Sequence, residues 1–227
     1  MNLDFRSGQV AVIGRPNVGK STLINALLGQ KIAAVSPKAQ TTRRRQLGIL
    51  TTDSAQIVFV DTPGIHTPRH KLGEYLNQEA EEALPGVDVV LFLVDASEEP
   101  TDEDKWIAIR LSRLARRTPL VLAPNKIDRV PAEALSEHLE AYQVLVPQEA
   151  ETIPISATTG EGLDSLLGKL MEHISPGKPE YEPEQITDLY EREIAAELIR
   201  EACLLYLRDE VPHGVAVRID EFTERGD

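Results

Sequence analysis

Short apolar segments alternate with amphipathic segments along most of the chain. The apolar runs predict six strands, over residues 8–14, 46–52, 56–60, 87–94, 119–123 and 152–155. Apolar positions at helical spacing predict helices that end near Leu28 and Leu84, and further helices over residues 102–116, 134–144 and 163–174. In the helix over 102–116, Trp106 and Ile109 are expected on the inner face. This alternation predicts an α/β fold with a mostly parallel sheet covered by helices on both faces.

The pattern changes after residue 174. Three prolines within residues 175–185 indicate a linker, which divides the chain into 1–174, a linker over 175–186, and 187–227. The last part predicts a helix with one apolar face, formed by Ile194, Leu198, Ile199, Ala202, Leu205 and Tyr206. Alternation at Val215, Val217 and Ile219 predicts a strand. One helix and one strand cannot bury these faces alone, so an incomplete α+β domain is expected.

Composition fits a globular protein. The chain has 227 residues, of which 41% are hydrophobic, enough for one large core. No apolar run reaches the roughly 20 residues needed to cross a bilayer, and an N-terminus with Asp4 and Arg6 does not resemble a secretory signal. The single cysteine, Cys203, excludes an internal disulfide and makes a cytoplasmic location the expectation.

The net charge of −13 is unevenly distributed. Residues 1–50 hold eight Lys or Arg and one acidic residue, which suits a phosphate-rich ligand. Residues 178–227 hold fourteen acidic and six basic residues, which repel such a ligand. The charge therefore favours a phosphate site in the first part of the chain.

Residues 14–21, Gly-Arg-Pro-Asn-Val-Gly-Lys-Ser, fit the phosphate-loop pattern between a strand and a helix. The glycines let successive backbone N–H groups converge on phosphate oxygens, and the helix N-terminus adds further N–H groups. Lys20 is expected to reach the β- and γ-phosphates, and the Ser21 hydroxyl to ligate Mg²⁺. The alternative is a glycine-rich turn before an ordinary helix.

Two downstream segments supply candidates for sensing a γ-phosphate. The basic loop before residue 46 offers a threonine as a second Mg²⁺ ligand, with Thr42 preferred and Thr41 as the alternative. Asp61 ends an apolar strand, where it is expected to hold Mg²⁺ through water, and Gly64 can bring its N–H against a γ-phosphate. Taken alone, residues 61–64 could also be a Pro-Gly turn.

Residues 125–128, Asn-Lys-Ile-Asp, follow the strand over 119–123 and indicate guanine binding. The Asp128 carboxylate can accept from guanine N1–H and the 2-amino group together, whereas adenine would leave it unpaired. The Lys126 stem can lie along the base, and Asn125 is expected to tie this loop to the phosphate loop. After the strand over 152–155, Ser156, Ala157 and Thr158 allow the Ala157 N–H to approach guanine O6.

These segments, in this order, resemble Ras-like P-loop GTPases of the translation-factor-related class, and more narrowly the Era family of bacterial ribosome-assembly GTPases. The matching segments are residues 14–21, 40–43, 61–64, 125–128 and 156–158, and residues 204–213 resemble the start of that family's RNA-binding KH domain. The resemblance implies hydrolysis of GTP to GDP and phosphate, with Mg²⁺ as the metal. It implies nucleotide contacts from Asn17, Val18, Gly19, Lys20, Ser21, Thr22, Asp61, Gly64, Asn125, Lys126, Asp128, Ser156, Ala157 and Thr158.

The resemblance also implies roles in catalysis. Lys20, Thr42 and Gly64 would stabilise the transition state, and Ser21, Thr42 and Asp61 would hold Mg²⁺. Ras-like proteins place a water-orienting Gln after the Asp-x-x-Gly segment, but this chain has Ile65 there. Some relatives with a hydrophobic residue at this position use K⁺ as an additional cation, and Asn17 matches the residue that ligates it. His66 and His70 are expected to be solvated loop residues.

The same resemblance implies binding to the small ribosomal subunit and its ribosomal RNA. It further implies a monomer in the cytoplasm, with peripheral association to the inner face of the cell membrane. A KH domain needs a Gly-x-x-Gly loop, but after residue 187 the glycines are Gly214 and Gly226. The KH-type segment over 187–227 is therefore expected to be incomplete and its RNA binding impaired.

Other functions remain open at this stage. Ile65 leaves room for a GTP-sensing binding module in which hydrolysis is incidental. A related tRNA-modifying GTPase is a second alternative, although the stretch over 204–213 favours the Era family. An ATPase is the least favoured, because Asp128 fits guanine.

Overall fold

A computed structural model describes residues 5–35, 46–64, 82, 84–114, 118–207 and 215–222. The strands are β1 (Arg6–Ile13), β2 (Gln46–Thr51), β3 (Ala55–Asp61), β4 (Val89–Asp95), β5 (Leu120–Asn125) and β6 (Glu151–Thr152). The helices are α1 (Lys20–Leu28), α2 (Asp102–Leu114), α3 (Ala132–Gln143), α4 (Leu163–His173) and α5 (Glu191–Tyr206), with a 3-10 turn at Ile127–Arg129.

Within the described residues, six strands form one sheet in the order β2-β3-β1-β4-β5-β6. β2 is antiparallel to β3, and the other neighbouring pairs are parallel. β2 and β3 form a hairpin, and the Thr52 N–H donates to the Ala55 carbonyl at 2.8 Å across its turn. The sheet agrees with the predicted α/β fold.

The central strands are buried on both faces because helices pack on each side of the sheet. Val12 and Leu91 point to the side covered by α1 and α4. Ile13 and Phe92 point to the opposite side, where they pack against α2 and α3. Both layers leave the carboxyl ends of β1, β3, β4 and β5 at one rim, where ligands bind in such sheets.

Helix α2 departs from the prediction in its orientation. Ile109 is 53% exposed, whereas Ile107, Ala108 and Leu111 are buried against the sheet. Trp106 is partly buried against the same layer, as predicted. The prediction that Ile109 lies on the inner face of α2 was therefore wrong.

Residues 180–188 lie along the edge strand β2 and reach its neighbour β3. The Ile49 N–H donates to the Ile186 carbonyl at 2.8 Å, and the Leu47 N–H donates to Asp188 Oδ1 at 2.9 Å. The Gln56 side chain donates to the Tyr181 carbonyl at 2.9 Å and accepts from the Glu180 N–H at 2.7 Å. The bonds from Leu47 and Ile49 satisfy backbone N–H groups that an edge strand would otherwise expose.

Two predictions for the C-terminal segment are wrong. Residues 215–219 form no strand. The predicted apolar face of α5 is largely exposed at Ile199, Leu205 and Tyr206, and its most buried positions are Arg200, Glu201 and Leu204. Glu201 can be buried because Lys31 Nζ lies 2.8 Å from its carboxylate. No helix in the described ranges combines the length and apolar character that a membrane span requires.

Candidate functional site

The loop between β1 and α1 has the backbone conformation that a phosphate loop needs. Asn17 and Gly19 have φ angles of 65° and 104°, in the left-handed region. A Cβ added to Gly14 would lie 2.3 Å from the Leu93 carbonyl oxygen, so only glycine fits there. Helix α1 starts at Lys20, and its N-cap Gly19 has no side chain to cap the first turn. Its first N–H groups can therefore serve an anion.

Lys20 is buried at the start of α1. Its Nζ atom donates to the Gly14 and Arg15 carbonyls at 3.0 and 3.1 Å. Burial lowers the pKa of Lys20 to about 8, although the nearby Asp61 carboxylate opposes this shift. The ammonium thus lies inside the loop that would surround the phosphates, where a bound anion would favour its charged form.

Ser21 and Asp61 come together at the carboxyl end of β3. Ser21 Oγ donates to Asp61 Oδ2 at 2.9 Å, and Asp61 is 1% exposed. A hydroxyl and a carboxylate are hard oxygen donors of the type that Mg²⁺ prefers, so this pair fits a Mg²⁺ ion. These two residues would hold the ion, which would neutralise phosphate charge when bound.

Gly64 packs directly against the phosphate loop. A Cβ at this position would lie 2.7 Å from the Pro16 nitrogen, closer than real contacts allow. Thr62, two residues earlier, donates from Oγ1 to the Val12 carbonyl at 2.8 Å and anchors the segment to β1. The structure therefore brings the backbone of Gly64 close to the predicted phosphate position.

Residues 125–128 form the loop predicted to bind the base, called the base loop below. Asn125 joins this loop to the phosphate loop, as expected from the sequence. Asn125 Nδ2 donates to the Val18 carbonyl at 2.8 Å. Its Oδ1 atom accepts from the Ala157 N–H at 2.9 Å. This second bond was not predicted, and it occupies the N–H that was expected to approach guanine O6.

Asp128 lies in the 3-10 turn beside the end of the sheet. Its Oδ1 atom accepts from Ser156 Oγ at 2.6 Å, and about a quarter of its side chain is exposed. Arg129 Nε is 4.0 Å from the other carboxylate oxygen. Ser156 thus positions one oxygen of the Asp128 carboxylate. Two of the residues predicted to contact guanine, Asp128 and Ser156, are in direct contact.

Sequence reasoning missed a set of charged residues behind these loops. Lys126 Nζ forms an ion pair with Asp95, and Arg15 in the phosphate loop contacts Asp104 and Glu98. A signal for Asp95 existed, because it ends a buried strand as Asp61 does. Thr41, Thr42, Ile65, His66 and His70 lie outside the described residues.

Among known proteins, the first part of the chain matches the family described as 50S ribosome-binding GTPase, over residues 9–126. The chain is 48% identical over 217 residues to GTPase Era of Leuconostoc citreum, covering 96% of this chain and 71% of that protein. It is 50% identical over 216 residues to GTPase Era of Clostridium botulinum, covering 95% and 72%.

Solved structures agree with these relatives. A crystal structure of Era in complex with MgGDPNP and nucleotides 1506–1542 of 16S ribosomal RNA has a TM-score of 0.88 at 39% identity. It covers 96% of this chain and 73% of that chain. A point variant of Aquifex aeolicus Era bound to GDP and AlF₄⁻ has a TM-score of 0.85 at 39% identity, covering 92% and 70%. The chain therefore belongs to the Era family of GTPases, which bind GTP with Mg²⁺ and hydrolyse it to GDP and phosphate.

Proposed function

We propose that this chain is a GTP-dependent switch in the assembly of the small ribosomal subunit, and that it acts by binding 16S ribosomal RNA. The observation that carries the proposal is its likeness, over 96% of its length, to an Era structure in complex with MgGDPNP and 16S ribosomal RNA. The described nucleotide loops support the GTP-binding part of the proposal, because Asn125 holds the phosphate loop and the base loop together.

In this proposal the β- and γ-phosphates are bound by the phosphate loop, through residues 17–21, and by Thr22 in α1. Lys20 and the Gly64 N–H stabilise charge on the γ-phosphate as it leaves. Ser21 and Asp61 hold Mg²⁺, with Thr42 as the further ligand implied by the family resemblance. Asp128, Ser156, Ala157 and Thr158 surround the guanine base. Hydrolysis removes the γ-phosphate and with it the contacts that distinguish the two states.

Water activation in this chain does not use a Gln after the Asp-x-x-Gly segment, because residue 65 is Ile. We propose that K⁺ bound near Asn17 supplies additional positive charge at the phosphates. Asn17 is exposed in the phosphate loop and has a left-handed backbone, with a φ of 65°. Equal hydrolysis rates in K⁺ and Na⁺ at one ionic strength would remove K⁺ from the proposal.

In this proposal each of the three predicted segments of the chain has its own function. Residues 1–174 bind and hydrolyse GTP, residues 175–186 connect, and residues 187–227 contribute the KH-type part of an RNA-binding surface. Fourteen acidic against six basic residues over 178–227 make RNA binding by this chain weak. The proposed location is the cytoplasm, as a monomer with peripheral contact to the inner membrane face.

The first experiment compares nucleotides. Fluorescent GDP bound to the chain is displaced with GTP, GDP, ATP or ADP in the presence of Mg²⁺. Guanine nucleotides are expected to compete at least about 1,000-fold better than adenine nucleotides, since a site built to bond guanine leaves its polar groups unpaired with adenine. Equal competition by ATP would contradict the guanine site.

The second experiment tests the RNA. An RNA spanning nucleotides 1506–1542 of 16S ribosomal RNA is titrated with the chain in MgGDPNP, in GDP, and without nucleotide, at low and at roughly fourfold higher salt. Binding is expected to be tightest with MgGDPNP and to weaken at the higher salt. A scrambled RNA of equal length is the control. Equal binding of both RNAs, or no difference between nucleotides, would contradict a nucleotide-controlled RNA switch.

A further inference from the structure

Asp95 lies between the two loops that form the nucleotide site. It ends β4 and is 5% exposed. Its Oδ2 atom pairs with Lys126 Nζ in the base loop and is 4.0 Å from Arg15 Nη2 in the phosphate loop. Its Oδ1 atom accepts from Ser97 Oγ at 2.5 Å and from the Ser97 N–H at 3.1 Å. One carboxylate therefore faces a cation from each loop.

The backbone fixes this carboxylate relative to the base loop. Asp95 pairs with Asn125 in the register between β4 and β5, and the Ala96 N–H donates to the Asn125 carbonyl at 2.8 Å. The Tyr142 hydroxyl donates to the Asp95 carbonyl at 2.9 Å from the buried face of α3. The main chain of Asp95 is thus held by the sheet and by α3, and the ion pair restrains Lys126.

The phosphate-loop cation is held from the other side. Arg15 Nε donates to Asp104 Oδ2 at 3.2 Å, and its guanidinium also pairs with Glu98. Asp104 is fully buried at the start of α2, where the same oxygen accepts from Thr101 Oγ1 at 2.7 Å. Arg15 is consequently oriented by α2, and its distance to Asp95 is set by the fold.

Charge favours an ionised Asp95. Burial alone would raise the pKa of this carboxyl, but the hydrogen bonds from Lys126 and Ser97 outweigh burial and lower its pKa. Lys126 has a φ of 67°, an unfavourable backbone conformation for a residue with a side chain. An ionic anchor at the far end of its flexible stem would help to keep the residue in that conformation.

We infer that Asp95 is a positioning residue for guanine-nucleotide binding, which acts by holding Lys126 in the orientation that places its stem against the base. The inference rests on the proposed guanine site. The base is the same in GTP and GDP, so Asp95 supports the affinity for both nucleotides equally and leaves the chemical step unchanged. The opposite effect is also testable. If the ion pair between Asp95 and Lys126 had to break when nucleotide binds, Asp95 would weaken the affinity for nucleotide.

The test is a double-mutant cycle on GDP affinity, with the variants Asp95→Asn, Lys126→Met and both together. Each single variant is expected to weaken GDP binding about tenfold, because each breaks the charge-assisted hydrogen bond between Lys126 and Asp95 that positions the Lys126 stem. The double variant is expected to bind no more than about threefold more weakly than Lys126→Met. Multiplied losses, near 100-fold, would overturn the inference, as would tighter binding by Asp95→Asn.

Further readouts separate positioning from a general structural defect. For Asp95→Asn, kcat at saturating GTP and the ratio of GDP to IDP affinity are expected to stay within about twofold of the parent values. A fall in kcat with unchanged affinity, or a changed ratio, would overturn the inference. If Asp95→Asn does not fold, Ser97→Ala tests the same carboxylate more gently, and an unchanged GDP affinity would then overturn it. Asp102→Asn, at a fully exposed acid on α2, controls for the loss of charge.

Discussion

Asn125 Nδ2 donates to the Val18 carbonyl across 2.8 Å, and this bond joins the end of β5 to the phosphate loop. The contact is tight, because a Cβ added to Gly19 would lie 2.4 Å from the same nitrogen. Asn125 is 2% exposed and also accepts from the Ala157 N–H, so one amide connects three loops. The phosphate and base halves of the site are therefore held at a fixed separation.

Replacing Asn125 should weaken nucleotide binding. Asn125→Ala removes two buried hydrogen bonds and leaves Val18 and Ala157 without these partners, so GDP affinity is expected to fall roughly 10- to 100-fold. Asn125→Asp keeps the acceptor for Ala157 and loses the donor to Val18, which makes it the matched comparison. Titration of fluorescent GDP measures both. Unchanged affinity in both variants would contradict the proposed connection.

Asp128 should determine which purine is accepted. Asp128→Asn replaces an acceptor-only carboxylate with an amide that can donate, which fits a carbonyl at the base C2 position better than an amino group. The variant is expected to lose GDP affinity by roughly 100-fold or more and to bind XDP better than GDP. Competition between the two nucleotides measures this change. Undiminished preference for GDP would contradict the contact between Asp128 and the base.

The sequence predicted those parts of the site that are local along the chain. The phosphate loop follows β1, and Asp61 and Asn125 end β3 and β5. Their positions at one rim follow from a parallel sheet. The ion pair between Lys126 and Asp95 could not be predicted in the same way, because it depends on the register between neighbouring strands. Only the folded chain shows that Lys126 has a buried acidic partner.

The errors in the helices have a similar origin. Ile109 is apolar but exposed, since the orientation of α2 is set by Ile107 and Leu111 in the core. On α5, Glu201 is buried because Lys31, distant in sequence, supplies its counter-charge. Hydrophobic periodicity identified both helices, whereas their rotation depends on partners elsewhere in the fold.

Gly64 should matter for hydrolysis more than for GDP binding. Gly64→Ala would place a Cβ 2.7 Å from the Pro16 nitrogen and force the segment away from the phosphate loop. Since GDP lacks a γ-phosphate, GDP affinity is expected to change little, while single-turnover GTP hydrolysis falls roughly 100-fold. An equal loss of GDP affinity would contradict a role confined to the γ-phosphate.

Gly168→Ala is the matched glycine control. Gly168 lies within α4, and an added Cβ there would meet no atom within 4 Å. Alanine is favoured over glycine in a helix, so the free energy of unfolding is expected to rise by about 1 kcal/mol with normal hydrolysis. Chemical denaturation and the hydrolysis assay measure the two effects separately.

Lys20 should make nucleotide affinity depend on pH. Burial lowers its pKa to about 8, and bound phosphate favours the charged form, so binding above pH 8 must take up a proton. GDP affinity is expected to be constant near pH 7 and to fall, by up to about tenfold per unit, above pH 8. Lys20→Met should remove this dependence together with most of the affinity, whereas Lys169→Met at the surface should keep it.

The stability of the nucleotide-free protein should change in the opposite direction. The pKa of Lys20 in the folded protein is below its ordinary value of 10.5, so the unfolded chain binds the proton more tightly. Lys20 therefore destabilises the fold below pH 8, and this penalty disappears as the pH rises from about 8 to 10.5, by up to about 3 kcal/mol. Urea unfolding of the parent and Lys20→Met across this range measures the difference. Parallel pH profiles would contradict the lowered pKa.

Gln56 should hold the segment after residue 175 against the sheet. It is 0% exposed, donates to the Tyr181 carbonyl, and accepts from the Glu180 and Tyr181 N–H groups at 2.7 and 3.0 Å. Gln56→Ala leaves these groups without that partner, so the free energy of unfolding is expected to fall by about 2 kcal/mol. Hydrogen exchange at the Glu180 and Tyr181 amides should become faster as well.

Gln9→Ala is the control for Gln56, because the Gln9 side chain contacts the same segment through an exposed 3.4 Å bond to Glu180. Its effect on unfolding is expected to stay within about 0.5 kcal/mol, as for other surface substitutions. If both variants unfold alike, the buried amide does not hold the segment. If Gln56→Ala is destabilised but amide exchange at residues 180 and 181 is unchanged, the loss arises within β3, and the proposed attachment is wrong.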